Sequence, residues 1–178
     1  MNRKARLALL TTLALGVGAR AADAAQAFAN LYLTTPDGRG AAVGSAIFSD
    51  GGAGAHIRLS LHGLPPGEHG FHVHAKGSCD PTMKDGMPVL AGAAGGHYDP
   101  NLSGKHEGPA GMGHVGDLPV ITVGADGAAS ETLDAPRIRD VSSLRGHTLM
   151  IHAGGDNYSD TPAPLGGGGP RMACGLIQ

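Results

Sequence analysis

The sequence predicts an all-β protein: eight short antiparallel strands in a sandwich or barrel, carrying two long functional loops. Three observations support this. Apolar residues come in short runs, and Ile57, Leu59 and Leu61 alternate with Arg58, Ser60 and His62, the period of a strand with one wet face. Glycine and proline number 31 and 12 in 178 residues, and they fall between the runs, where turns use them. No segment of useful length has the 3.6-residue helical period, which excludes a coiled coil and a helical bundle.

In chain order the strands are expected at residues 28–34, 41–48, 55–61, 70–74, 118–123, 129–133, 148–152 and 172–177. Asp37-Gly38, Asp50-Gly51 and Asp126-Gly127 are turn dipeptides between such runs. One short helical turn is expected within residues 136–144. Aromatic residues are only 3% and Trp is absent, so Val, Ile, Leu and Ala must build the core. Two connections, 75–117 and 153–169, are too long to be turns, and ordered loops of such length are usually functional. Each begins just after a histidine in a strand.

Asn2-Arg3-Lys4-Ala5-Arg6 is basic, residues 7–18 are apolar, and small-x-small triplets follow between Ala19 and Ala27. This is the layout of a secretory signal peptide, expected over residues 1–24 with its end somewhere in 21–27. The apolar run is too short for a membrane anchor, which needs about 20 residues. Residues 25–178 then form one domain. Losing Arg3, Lys4, Arg6, Arg20 and Asp23 takes the formal charge from −2 to −5, so no broad basic face exists for nucleic acid. Export makes a disulfide the default for the two cysteines, Cys79 and Cys174.

Ten histidines against four lysines and three glutamates is the unusual feature of the composition. His72 and His74 share one face of a strand, with Phe71 and Val73 on the other. His97, His106, His114 and Asp117 follow in a Gly-rich segment, and three imidazoles with one carboxylate suit tetrahedral zinc. His152 ends the apolar run Leu149-Met150-Ile151. Imidazole serves copper and zinc alike, so ligand type alone does not divide these seven residues into sites.

The motifs Gly70-Phe-His-Val-His74, Gly95-Gly-His-Tyr-Asp-Pro100, Gly104-Lys-His106, Gly113-His-Val-Gly-Asp117, Ile151-His-Ala-Gly-Gly-Asp-Asn157 and Gly166-Gly-Gly-Gly-Pro-Arg-Met-Ala-Cys-Gly-Leu-Ile177 resemble those of the copper,zinc superoxide dismutases, most closely their bacterial periplasmic branch. The resemblance covers about residues 28–178. It implies a Greek-key topology and a periplasmic location. It also implies one copper held by His72, His74, His97 and His152, and one zinc held by His97, His106, His114 and Asp117. His97 would bridge the metals and shuttle a proton, and Asp156 would hydrogen-bond the far nitrogens of His72 and His106. Arg171 would attract and orient superoxide beside the copper, and Cys79 would pair with Cys174. Family members of this branch occur both as homodimers and as monomers.

Other residues read more plainly. His69 is expected to be scaffold, His56 and His62 solvated, and His147 structural. Lys76, Lys84 and Lys105 are either added positive field at the copper mouth or ordinary loop charges. Met83, Met87 and Met112 are expected to fill gaps rather than bind Cu(I). A copper- and zinc-binding protein that buffers metal without catalysis is the competing function; it needs the histidines but not Arg171. A purely structural sandwich leaves the ligand set unexplained.

Overall fold

A computed structural model describes residues 25–178, so the expected signal peptide lies outside the described residues. Eleven strands form: β1 (Gln26–Thr35), β2 (Gly38–Gly51), β3 (Gly54–Leu61), β4 (Gly67–His69), β5 (Phe71–His74), β6 (Thr82–Lys84), β7 (Met87–Val89), β8 (Ile121–Val123), β9 (Thr132–Ala135), β10 (Thr148–His152) and β11 (Arg171–Leu176). All eight expected segments are represented. The count of eight is corrected by β4, which continues into β5 across Gly70, and by the hairpin β6–β7. That hairpin turns on Asp85-Gly86, both at positive φ (52° and 78°), as a two-residue turn of the type I′ class requires.

Seven strands pair antiparallel in the order β5-β10-β11-β1-β2-β3-β9, and β8 pairs with β4. Because β4 runs into β5, the β4–β8 pair extends this sheet past its β5 edge, and the whole curls around the core. The connections β3–β4 and β9–β10 each cross from one end of the sheet to the other, as in a Greek key. A single 3₁₀ turn, Val141–Leu144, falls inside the expected 136–144 segment; Asp140 caps it by accepting from Ser142 N (2.8 Å). Among the described residues no helix is long and apolar enough to cross a membrane.

Leu31, Ile57, Leu59, Ile121, Leu149 and Ile151 fill the interior. Two of the three phenylalanines, Phe48 and Phe71, are fully buried with them, so the core is less strictly aliphatic than expected. Met83, Met87 and Met112 are 69%, 68% and 81% exposed. They fill no gaps, because β6, β7 and the tip of the long loop stand clear of the core.

All four residues of β5 are buried, although alternation turns His72 and His74 away from the core. The long loop covers them. Val73 N donates to Gly116 O (2.9 Å), Tyr98 N to Val73 O (2.8 Å) and Ala75 N to Gly96 O (2.9 Å), so the loop pairs with the edge of β5 that β10 leaves free. Gly116 permits the approach, since a Cβ there would overlap the Val73 carbonyl. The start of the loop lies over β10 and β11. Ala91, Ala94, Met150 and Cys174 form a small apolar cluster there, and the Cys79–Cys174 disulfide is present.

The bridged cysteines are 95 residues apart, and closing so long a loop stabilises by about 4–5 kcal/mol in the chain-entropy model. Replacing both cysteines by alanine should therefore lower the unfolding free energy by about that amount and the denaturant midpoint with it, and should steepen the slope because the unfolded chain is no longer held compact. A midpoint within experimental error of wild type, measured by urea titration, would show that packing alone holds the loop.

Candidate metal centre

Strand β5, its loop partners and the end of β10 bring all seven potential ligands together. Backbone pairing sets them: Thr148 lies opposite His74 and Met150 opposite His72. Isolated bridges then join His72 to Asp117 and His74 to His97. His152 is opposite Arg171 on β11. Each of the seven residues is buried.

Three groups result, each with its ligand atoms within 4.8 Å of one another: His72, His74, His97 and His152; His97, His106, His114 and Asp117; and His72, His106 and Asp156. His97 belongs to the first two. Its Nδ1 lies 2.8 Å from Asp117 Oδ1, and its Nε2 has no partner. His72 Nδ1 and His106 Nδ1 are also buried without a hydrogen bond. Asp117 Oδ2 is 3.0 Å from His106 Nδ1 but out of line for one. Orphaned buried polar atoms are costly and rare, and three in one cluster fit the coordination of cations. His74 Nε2 and His152 Nε2 stand 3.4 Å apart, a separation that two nitrogens about 2 Å from one ion would adopt.

The opposite ring nitrogens are fixed by the protein. Asp156 takes one histidine on each oxygen, His106 Nε2 on Oδ1 and His72 Nε2 on Oδ2, both at 2.7 Å. His74 Nδ1 donates to Gly95 O (2.9 Å) and His152 Nδ1 to Gly169 O (3.1 Å). Such partners choose the tautomer and aim the free lone pair.

Burial pushes His72 down to about 3, ahead of the opposing bond from Asp156. It pushes His152 to about 4 and His74 well below the ordinary value. His97 is also lowered by burial. These rings are neutral at pH 7, as metal ligands must be. His106 differs: burial opposes its charge, but Asp117 and Asp156 outweigh burial and raise it to about 9. Both carboxyls are buried, yet their histidine hydrogen bonds hold them far below the usual carboxylate range.

Arg171 is half-buried at one end of the cluster. Its Nη1 donates to Ala91 O (2.6 Å) and its Nη2 to Gly95 O, the same carbonyl that receives His74. Its charge disfavours protonation of both His74 and His152. Lys76 lays its aliphatic stem against Gly95, close to this end. Lys84 adjoins the tip of the β6–β7 hairpin, and Lys105 precedes His106 on an exposed stretch. His69 is scaffold as expected, its ring nitrogens each 2.9 Å from a carbonyl, those of His152 and Pro65. His147 is structural too, bonding Ala75 O (2.8 Å).

Three residues that the sequence reading passed over also brace the site. Arg137 Nη1 donates to Gly113 O (2.6 Å), beside His114. Tyr158 accepts from Val120 N (3.0 Å), and Asp160 accepts from His106 N (2.9 Å). None lies in a residue pattern that marks it; only Asp160 and Tyr158, flanking Asp156 in the same loop, were near a quoted motif.

Residues 42–177 match the family model described as copper/zinc superoxide dismutase. The chain is 49% identical over 176 residues to "Superoxide dismutase [Cu-Zn] 2" of Salmonella typhimurium, covering 99% of each chain. It is 50% identical over 169 residues to the Cu-Zn superoxide dismutase of Escherichia coli, covering 95% of this chain and 97% of that one. Among solved structures, the Cu/Zn superoxide dismutase from Brucella abortus superposes with a TM-score of 0.85 at 48% identity, over 86% of this chain and all of that one. The monomeric copper, zinc superoxide dismutase from Salmonella enterica gives 0.77 at 51% identity over the same shares. With likeness of this extent in sequence and in fold, the chain belongs to the copper/zinc superoxide dismutase family.

Proposed function

We propose that this protein dismutes superoxide to dioxygen and hydrogen peroxide. Copper would be held by His72, His74, His97 and His152, and zinc by His97, His106, His114 and Asp117. The observation that carries the assignment is the trio of buried, unpartnered nitrogens, His72 Nδ1, His97 Nε2 and His106 Nδ1. Copper when bound supplies one-electron chemistry, taking an electron from one superoxide and returning it to a second that gains two protons; zinc supplies charge without redox change.

The chain's own groups do the rest. His97 holds Nδ1 toward Asp117 and leaves Nε2 free toward the copper set, where it can carry a proton to the peroxide product. Arg171 has two N–H groups committed to carbonyls, and its remaining donors are available to an anion beside His74 and His152. A positive spot in an acidic protein focuses approach of a small anion. Zinc-side contacts fix His97 by its far nitrogen.

The leader reading extends the proposal. Residues 1–24 would be a signal peptide and residues 25–178 the mature domain, acting in the periplasm to protect it from superoxide. The disulfide and the Gram-negative relatives support that compartment. The Salmonella enterica relative described as monomeric supports a monomer here.

Stopped-flow decay of superoxide is the direct test, with copper- and zinc-loaded protein beside His152→Ala. Catalytic decay that disappears in the variant is expected. Decay no faster than free copper explains, from protein that binds both metals, would turn the reading to metal buffering. Arg171→Ala should keep both metals, slow the reaction by roughly tenfold or more, and flatten its dependence on ionic strength; unchanged low-salt kinetics would remove the steering role.

Zinc binding should also release a proton. With the His106 ring at about 9 in the metal-free protein, it is charged at pH 7 and must lose that proton to ligate. Zinc alone should therefore displace about one proton at pH 7, and its affinity should rise by up to about tenfold per pH unit toward pH 9. Calorimetry in buffers of different ionisation heat reads this number; a value near zero would place zinc elsewhere.

A further inference from the structure

Asp160 is exposed and coordinates nothing, yet its carboxylate joins the two long loops of the site. Oδ2 accepts from His106 N (2.9 Å), 54 residues away in sequence, and Oδ1 accepts from Leu165 N (3.1 Å). Leu165 sits in the left-handed region (φ 54°, ψ 45°) and is followed by Gly166 at φ 72°, a conformation costly for leucine. The bend lays Gly166 flat on the bond between Asp156 and His106: a Cβ on Gly166 would overlap Asp156 Oδ1 and meet His106 Nε2. Gly166 is buried there, so it covers that hydrogen bond from solvent.

Asp156 fixes the His106 ring by one atom, Nε2, and a ring held at one point pivots unless its backbone is also held. We infer that Asp160 is the positioning residue for His106, fixing the backbone from which the ring hangs and the bend that covers Asp156. Through it, zinc affinity depends on a side chain in the loop that borders His152.

The inference rests on the proposed zinc assignment, and the experiment separates the two. Zinc is titrated against a chromogenic chelator with metal-free wild type, Asp160→Ala, Asp160→Asn and His106→Ala, and copper(II) affinity and metal-free Tm are measured in parallel. Loss of a group that orients a ligand typically costs 10–100-fold in metal affinity. Asp160→Ala should weaken zinc by about that factor, leaving copper within about threefold. Asp160→Asn retains one acceptor oxygen and should fall between, and it carries the test if the alanine variant fails to fold. Zinc affinity of Asp160→Ala within about twofold of wild type, or an equal loss of copper, overturns the positioning role whatever the Tm shows. Full zinc binding by His106→Ala overturns the site assignment itself, and with it this inference.

Discussion

The structure turns on a single carboxylate that serves two histidines at once. Asp156 lends one oxygen to His72 and the other to His106, each at 2.7 Å, with all three side chains fully buried. His72 comes from strand β5, His106 from the first long loop and Asp156 from the second, so one side chain ties together the three elements that hold the proposed sites. A buried carboxylate without partners would be costly; here both oxygens are satisfied, and Tyr158 N adds a third bond at 2.7 Å. The pair of bonds also fixes how each ring is turned, so that His72 Nδ1 and His106 Nδ1 face inward.

This arrangement needs loops that behave as part of the sheet. The first loop is ordered because β5 has an unpaired edge, and an unpaired edge attracts backbone. Residues 94–98 and 116–118 occupy it, which fixes His97 and Asp117 opposite the β5 histidines. Farther from the edge, order comes from side chains: Asp99 on Ser103 and Gly104, Glu107 on Met112 N, Arg137 on Gly113 O. The disulfide fixes the remaining stretch, and the carbonyls of Ala91 and Gly95 in that stretch hold the Arg171 guanidinium.

How much of this could be read from the sequence follows from the range of each interaction. Period-two alternation and Asp-Gly turns are local, so segments such as Ile57–Leu61 were legible directly. The β6–β7 hairpin was missed although Asp85-Gly86 carries the same turn signal, because Thr82–Val89 lacks alternating apolar residues and faces solvent on both sides. The exposure of Met83 and Met87 follows from the same mistake. The proposed ligands were legible as a constellation of histidines in recurring glycine-rich motifs, and their proposed division between two metals came only from the family resemblance. Arg137, Tyr158 and Asp160 were not legible at all. Each reaches backbone 24 to 54 residues away, and no local pattern encodes such a contact.

The charge layout explains why one cluster can serve two different tasks. Acidic groups gather at the end with His106 and His114, where Asp117 meets three imidazoles and Asp156 bonds His106 from its other side. Arg171 stands at the other end, beside His74 and His152. His106, beside Asp117 and Asp156, is raised to about 9, whereas burial, with a smaller push from Arg171, lowers His152 to about 4. A dication at the acidic end would be largely neutralised by Asp117 and Asp156. At the opposite end only neutral imidazoles are offered, so a cation there keeps its charge and adds to that of Arg171. Positive potential is thereby concentrated where an anionic substrate must arrive, while His97, its Nδ1 turned to Asp117 and its Nε2 free within the cluster, connects the two. This asymmetry persists in salt, since a buried field is screened far less than a surface one.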